Sequence, residues 1–93
     1  MSITTIYKVS VDFSYEVTDF INEYYKDAYA LARDEAIRGN SHAGSDTYTY
    51  TTEWAEFDTM QKAIECDKRL HALRRMIETI MATRAKEKPS DPD

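Results

Sequence analysis

Tyr7, Val9, Val11, Phe13, Tyr15 and Val17 alternate with Lys8, Ser10, Asp12, Ser14 and Glu16, an unbroken period of two over eleven residues. Successive side chains of a strand point to opposite faces, so this pattern describes a strand with one buried and one wet face. No Gly or Pro interrupts it. At roughly 3.3 Å per residue such a strand reaches about 36 Å, which is long for a small domain and predicts a bend or bulge.

Thr18 or Asp19 then stands where a helix N-cap belongs, and Gly39 stands where helices are often closed. The segment between reads as one helix of about 20 residues. Phe20, Ile21, Tyr24, Tyr25, Ala28, Leu31 and Ala32 share a broad face of it, expected to pack on the apolar side of the strand. Residues 39–46 hold both glycines of the chain and read as a loop. A second strand is expected over Thr47–Phe57, with Tyr48, Tyr50 and Trp54 on one face and Thr47, Thr49, Thr51 and Glu53 on the other. The step from Trp54 to Phe57 breaks the alternation and predicts a bulge or strand end near Ala55.

Asp58 or Thr59 caps the last element, with Gln61 three residues after Asp58 in capping-box fashion. This helix can run to Lys88, before Pro89. Ala63, Cys66, Leu70, Leu73, Ile77 and Ile80 are spaced 3, 4, 3, 4, 3, a seam of coiled-coil type. The seam either covers the sheet and the first helix or, through Leu70, Leu73, Ile77 and Ile80, joins two copies. The expectation is an α+β fold, strand–helix–strand–helix, with a small two-stranded sheet packed by two helices. Residues 1–88 form the single domain and 89–93 a disordered tail. A right-handed parallel crossover is the default for two strands joined by a helix, yet parallel sheets need both faces covered, so the pairing direction stays open. Two strands leave exposed edges, which favours a homodimer or docking on a larger partner.

Several classes are excluded or disfavoured. With 93 residues the chain is one domain, too short for most multi-layer enzyme folds. At 42% hydrophobic it is too apolar for a disordered chain. No apolar run approaches the roughly 20 residues of a membrane span. Met1–Thr4 lacks the basic, apolar start of a signal peptide, so a cytoplasmic location is expected. Cys66 is alone, and with His42 and His71 it makes no metal-ligand spacing. The Gly39–Gly44 loop lacks the glycine spacing and lysine of a phosphate loop. No catalytic residue, metal or cofactor is expected, and an enzyme is not.

Charge is unevenly placed. Residues 1–58 carry eleven acids against four bases, and all the aromatics lie between Tyr7 and Phe57. On a continuous helix Asp19, Glu23, Asp27 and Asp34 fall within an arc of about 80°. Glu23 and Asp27 are like charges at i, i+4, a mildly destabilising arrangement, so the field they create is a candidate for use. Such a stripe can imitate a run of phosphates and occupy the basic channel of a partner. A solvated helix face is the plainer reading, and Lys26 and Arg33 beside the stripe dilute it. Tyr25 and Tyr29, at the margin of the same helix, are candidate interface anchors. A chain of net charge −5 without a dense basic patch is itself a poor nucleic-acid binder.

In size, acidity, tyrosine content and want of a catalytic motif, the chain resembles the small phage-encoded inhibitors of bacterial defence, of which anti-CRISPR proteins are an example. The resemblance is one of type and carries no motif or residue across. It implies a non-enzymatic inhibitor that binds a CRISPR effector or nuclease and blocks DNA engagement. Asp19, Glu23, Asp27, Asp34, Tyr25 and Tyr29 would face the partner. The competing expectation is a homodimeric structural or adaptor protein, joined through the helix seam or a sheet edge.

Overall fold

A computed structural model describes residues 4–87. The elements are β1 (Tyr7–Phe13), α1 (Tyr15–Tyr24), α2 (Lys26–Ile37), β2 (Ala43–Thr47), β3 (Thr51–Phe57) and α3 (Met60–Glu87). The class is the expected α+β, with a third strand and a third helix added. The tail expected over 89–93 lies outside the described residues.

The long first strand stops at Phe13. Ser14 caps a helix there, its hydroxyl accepting the Val17 N–H at 3.2 Å, and Thr18 N–H closes the first turn on Ser14 O at 2.9 Å. Val17, Thr18 and Ile21 are buried at helical spacing. Phe13 and Val17 satisfy both a period of two and an i, i+4 step, and the serine cap decides between them. Thr18 is therefore inside the helix. Its hydroxyl accepts the Thr51 N–H at 3.0 Å, tying α1 to the start of β3.

The single helix expected after it is broken at Tyr25, whose φ of −136° leaves the helical region. Phe20 explains the break. The rings of Tyr24 and Tyr25 both lie against Phe20, at centroid distances of 5.2 and 5.3 Å. A regular helix sets neighbours about 100° apart and would carry the second ring away from Phe20. At its far end α2 closes with Arg38 in the left-handed region, φ 54°, and Gly39 N–H reaching back to Asp34 O at 3.3 Å. The turn that usually takes glycine falls one residue before it.

The sheet is antiparallel, in the order β1-β3-β2. Val9 pairs with Ala55, Val11 with Glu53 and Phe13 with Thr51 on one side of β3; Ala43, Ser45 and Thr47 pair with the same three residues on the other. The loop expected over 39–46 thus contains a strand. Ala-Gly-Ser-Asp-Thr carries no apolar alternation, because β2 is an edge held by backbone pairing. The hairpin from β2 to β3 turns at Tyr48–Tyr50, with Tyr48 N–H on Tyr50 O at 3.0 Å, and leaves Tyr48 and Tyr50 exposed. That extra reversal runs β3 opposite to β1 and settles the pairing direction.

The expected division of this strand, Trp54 on one face and Thr51 with Glu53 on the other, holds, and the inner face is that of Thr51 and Glu53. Thr51, Glu53 and Ala55 point to the helices and are buried, while Trp54 lies on the opposite, helix-free face. Val9, Val11, Phe13, Cys66 and Leu70 fill the space between the layers, and small residues on β3 leave room for them. Burial pushes the Cys66 thiol above its ordinary range, so it sits in the core as a protonated apolar group.

Trp54 covers Gly44 across the sheet. A Cβ at Gly44 would stand 2.7 Å from the Trp54 ring. Gly44→Ala is therefore expected to tilt the indole away and cost about 1 kcal/mol, overpacking outweighing the few tenths gained by stiffening the unfolded chain. Urea unfolding reads the cost, and a longer-wavelength Trp54 emission reads the displacement.

Candidate functional site

Residues 15–37 hold six acids and two bases. Glu16, Asp19 and Glu23 on α1, and Asp27, Asp34 and Glu35 on α2, are all exposed. The break at Tyr25 divides the expected continuous arc, so Asp19 and Glu23 belong to one helix and Asp27 and Asp34 to the next. What survives is an acidic helical layer built from two short pieces.

The two bases do not dilute it equally. Lys26 is exposed, but Arg33 turns inward, and its Nε–H donates to Glu53 Oε1 at 2.7 Å. Its Nη1 also comes within 3.8 Å of Asp34. Glu53 is fully buried and also accepts from the hydroxyls of Tyr29 and Ser45. Four side chains from α2, β2 and β3 thus converge under the acidic layer and consume the Arg33 charge. Burial, then the hydrogen bond and charge of Glu53, hold the Tyr29 phenol well above its usual titration range.

Tyr29 is accordingly a bridging residue: its hydroxyl is on Glu53 and its ring meets Phe13 edge-on at 5.7 Å. Tyr25 is half-buried on Phe20. The freely exposed aromatics of the layer are Tyr15 and Tyr24. Arg84 of α3 sits 4.3 Å from the Tyr24 ring, bringing one base to the end of α1. Of the seam, Leu70, Leu73 and Ile77 are buried against the sheet and helices of their own chain, and Ile80 is half-buried.

A cavity of about 600 Å³ opens at the opposite end of the molecule, between the end of α2 and the start of α3. It mixes Arg38, Lys62 and Arg69 with Glu56, Asp58 and Glu65. Lys62 bonds Asp58 at 3.2 Å and holds that carboxyl below its usual range. Arg69 Nε–H is spent on Ala36 O at 2.6 Å. Among the described residues no group of three His, Cys, Asp or Glu is placed to hold a metal ion. Among the same residues no helix is long and apolar enough to cross a membrane.

The Glu53 cluster is the part of the site that patterning did not reveal. The available signal was Tyr29 and Arg33, one helical turn apart on the core side of α2, beside a lone acid between small residues of β3. Comparison with protein-family models, curated proteins and solved structures finds no match to this chain.

Proposed function

We propose that this protein is a non-enzymatic inhibitor of phage origin, acting in the bacterial cytoplasm on a nucleic-acid-processing defence complex. Its acidic helical layer would occupy the basic groove that otherwise receives DNA, with exposed tyrosine as the anchor. One observation carries the reading: α1 and α2 expose six carboxylates against one fully exposed base, because Arg33 is turned in on Glu53. A patch of one sign steers a cationic groove and matches it in potential. The resemblance in size, acidity and tyrosine content supports the same assignment.

The test is capture of a CRISPR effector or nuclease complex from bacterial lysate by the tagged protein, at low and at moderate salt. Stoichiometric capture that fades as salt rises is expected, since exposed charges are screened within about 8 Å at physiological ionic strength. Replacing Glu23, Asp27 and Asp34 together by Lys should abolish capture while circular dichroism stays unchanged. Capture that ignores both salt and this triple variant overturns the reading.

A further inference from the structure

The groove between α2 and α3 has an acidic bank and a basic one. Its floor is apolar, about 130 Å³, formed by Ala28 and Ala32 of α2 with Leu73, Met76 and Ile80 of α3. The apolar surface continues to either side. Leu31 is 73% exposed and Met76 49% exposed. Ala72 and Thr79, also exposed, extend it along α3.

Helical phase places the charges. At about 100° per residue, the outer side of α2 runs from Ala28 through Glu35 and Leu31 to Asp27 and Asp34. By the same count Lys68, Arg75 and Lys86 follow Met76 and Thr79 round the outer side of α3, with Glu78 further on. All of these side chains are exposed.

A face with an apolar centre, one acidic bank and one basic bank is complementary to itself under one two-fold operation. When the axis lies in the interface and runs parallel to the helices, α2 of each copy faces α3 of the other. Acid then meets base along both banks. An axis across the helices would set α2 on α2 and α3 on α3, like charge on like. We infer that this face binds a second copy of the chain, about a two-fold axis parallel to α2 and α3.

The axial levels agree. Arg69 bonds Ala36 near the end of α2 and Arg84 lies over Tyr24, two residues before its start, so α2 and α3 run antiparallel. Interpolation between those two contacts sets Arg75 level with Leu31, midway between Asp27 and Asp34, each about 5 Å away along the axis. The partner's Arg75 therefore comes in reach of both carboxylates while Leu31 and Met76 meet at the centre. This surface is distinct from the heptad seam, whose Leu70, Leu73 and Ile77 are internal, and from the sheet edges.

Two helices make a face about 20 Å wide, and α2 limits its length to about 18 Å. That is below the roughly 800 Å² per partner of a standard stable interface, which places the dimer in the weak, transient class. It covers Asp27 and Asp34 and leaves Asp19 and Glu23 free.

Sedimentation equilibrium on the full chain, from about 10 μM to about 1 mM, is expected to show monomer and dimer, the dimer receding with salt. Leu31→Glu and Met76→Glu should each remove it; both sites are exposed, and circular dichroism checks the fold. Arg75→Glu should weaken association at least about tenfold, and Asp27→Lys with Asp34→Lys likewise. All three substitutions together should recover most of the lost association, because the central contact of Arg75 with Asp27 and Asp34 then exchanges sign. Glu23→Lys should leave the dimer intact while weakening target capture, and Met76→Glu the reverse, so the two proposals fail separately. A chain that stays monomeric at about 1 mM overturns the inference. So does a dimer that survives Leu31→Glu, or a triple charge exchange that fails to restore it.

Discussion

Glu53→Ala is expected to lower the stability of the fold by about 3–5 kcal/mol, the usual cost of removing one partner of a buried ion pair. Arg33, 16% exposed at its side chain, would be left without its carboxylate. Its Nη2 already lacks a hydrogen-bond partner among the described residues, so the guanidinium has little else to turn to. The hydroxyls of Tyr29 and Ser45 lose their acceptor in the same step. Against a total of about 5–14 kcal/mol for a chain of this length, the loss is large. Urea unfolding followed by circular dichroism measures it, and a cost below about 1 kcal/mol would show that the cluster is not held as described. Replacing both charges, as Glu53→Leu with Arg33→Met, should recover most of the loss, since the desolvation penalty disappears with the pair.

The same cluster shows why part of the fold was legible and part was not. The seam of α3 could be read because Cys66, Leu70, Leu73 and Ile77 are apolar at the spacing that one helix face requires. β1 could be read because Val9, Val11 and Phe13 alternate against wet partners. β3 could not be assigned its faces, because its inner residues are Thr51, Glu53 and Ala55 and its outer residue is Trp54. Hydrophobicity points the wrong way there. The larger residues that fill the core come from β1 and α3, and the acid finds its partners only once α2 is laid across the sheet.

The acidic layer was legible as composition and not as geometry. Six acids in residues 15–37 are visible in the sequence, but the common arc of Asp19, Glu23, Asp27 and Asp34 rested on a helix that Tyr25 interrupts. Arg33 looked like a surface base beside the stripe, and only its inward turn makes the layer more negative outside than the sequence count suggests. The anchors shift for a related reason: Tyr29 is drawn to Glu53, while Tyr24 stays half exposed and stacks with Arg84. β2 had no apolar signature at all, because an edge strand of small polar residues is recognised by its backbone partners.

Leu73→Asp combined with Ile77→Asp should leave the chain unfolded. Both residues are buried, and they pack in one cluster with Phe13, Ile21 and Leu70. A carboxylate at either place must be buried uncharged and unpaired or must expel α3 from the core, at several kcal/mol each. Two such costs, added to the lost apolar burial of Leu73 and Ile77, are as large as the about 5–14 kcal/mol that hold a domain of this size together. α3 packs on β1, β3 and α2, so its loss strands the apolar side of the sheet as well. The measured outcome is a disordered circular dichroism spectrum with no thermal transition. Leu70→Ala gives the graded form of the argument: a side chain at 0% exposure should cost about 3–4 kcal/mol, lowering the melting temperature by more than about 10 °C. Ile80→Ala, half-buried nearly three turns further along, should cost only about 1 kcal/mol because little of a cavity is left behind. A folded, soluble Leu73→Asp, Ile77→Asp monomer would instead make the seam an outer surface and return it as a place for two copies to meet.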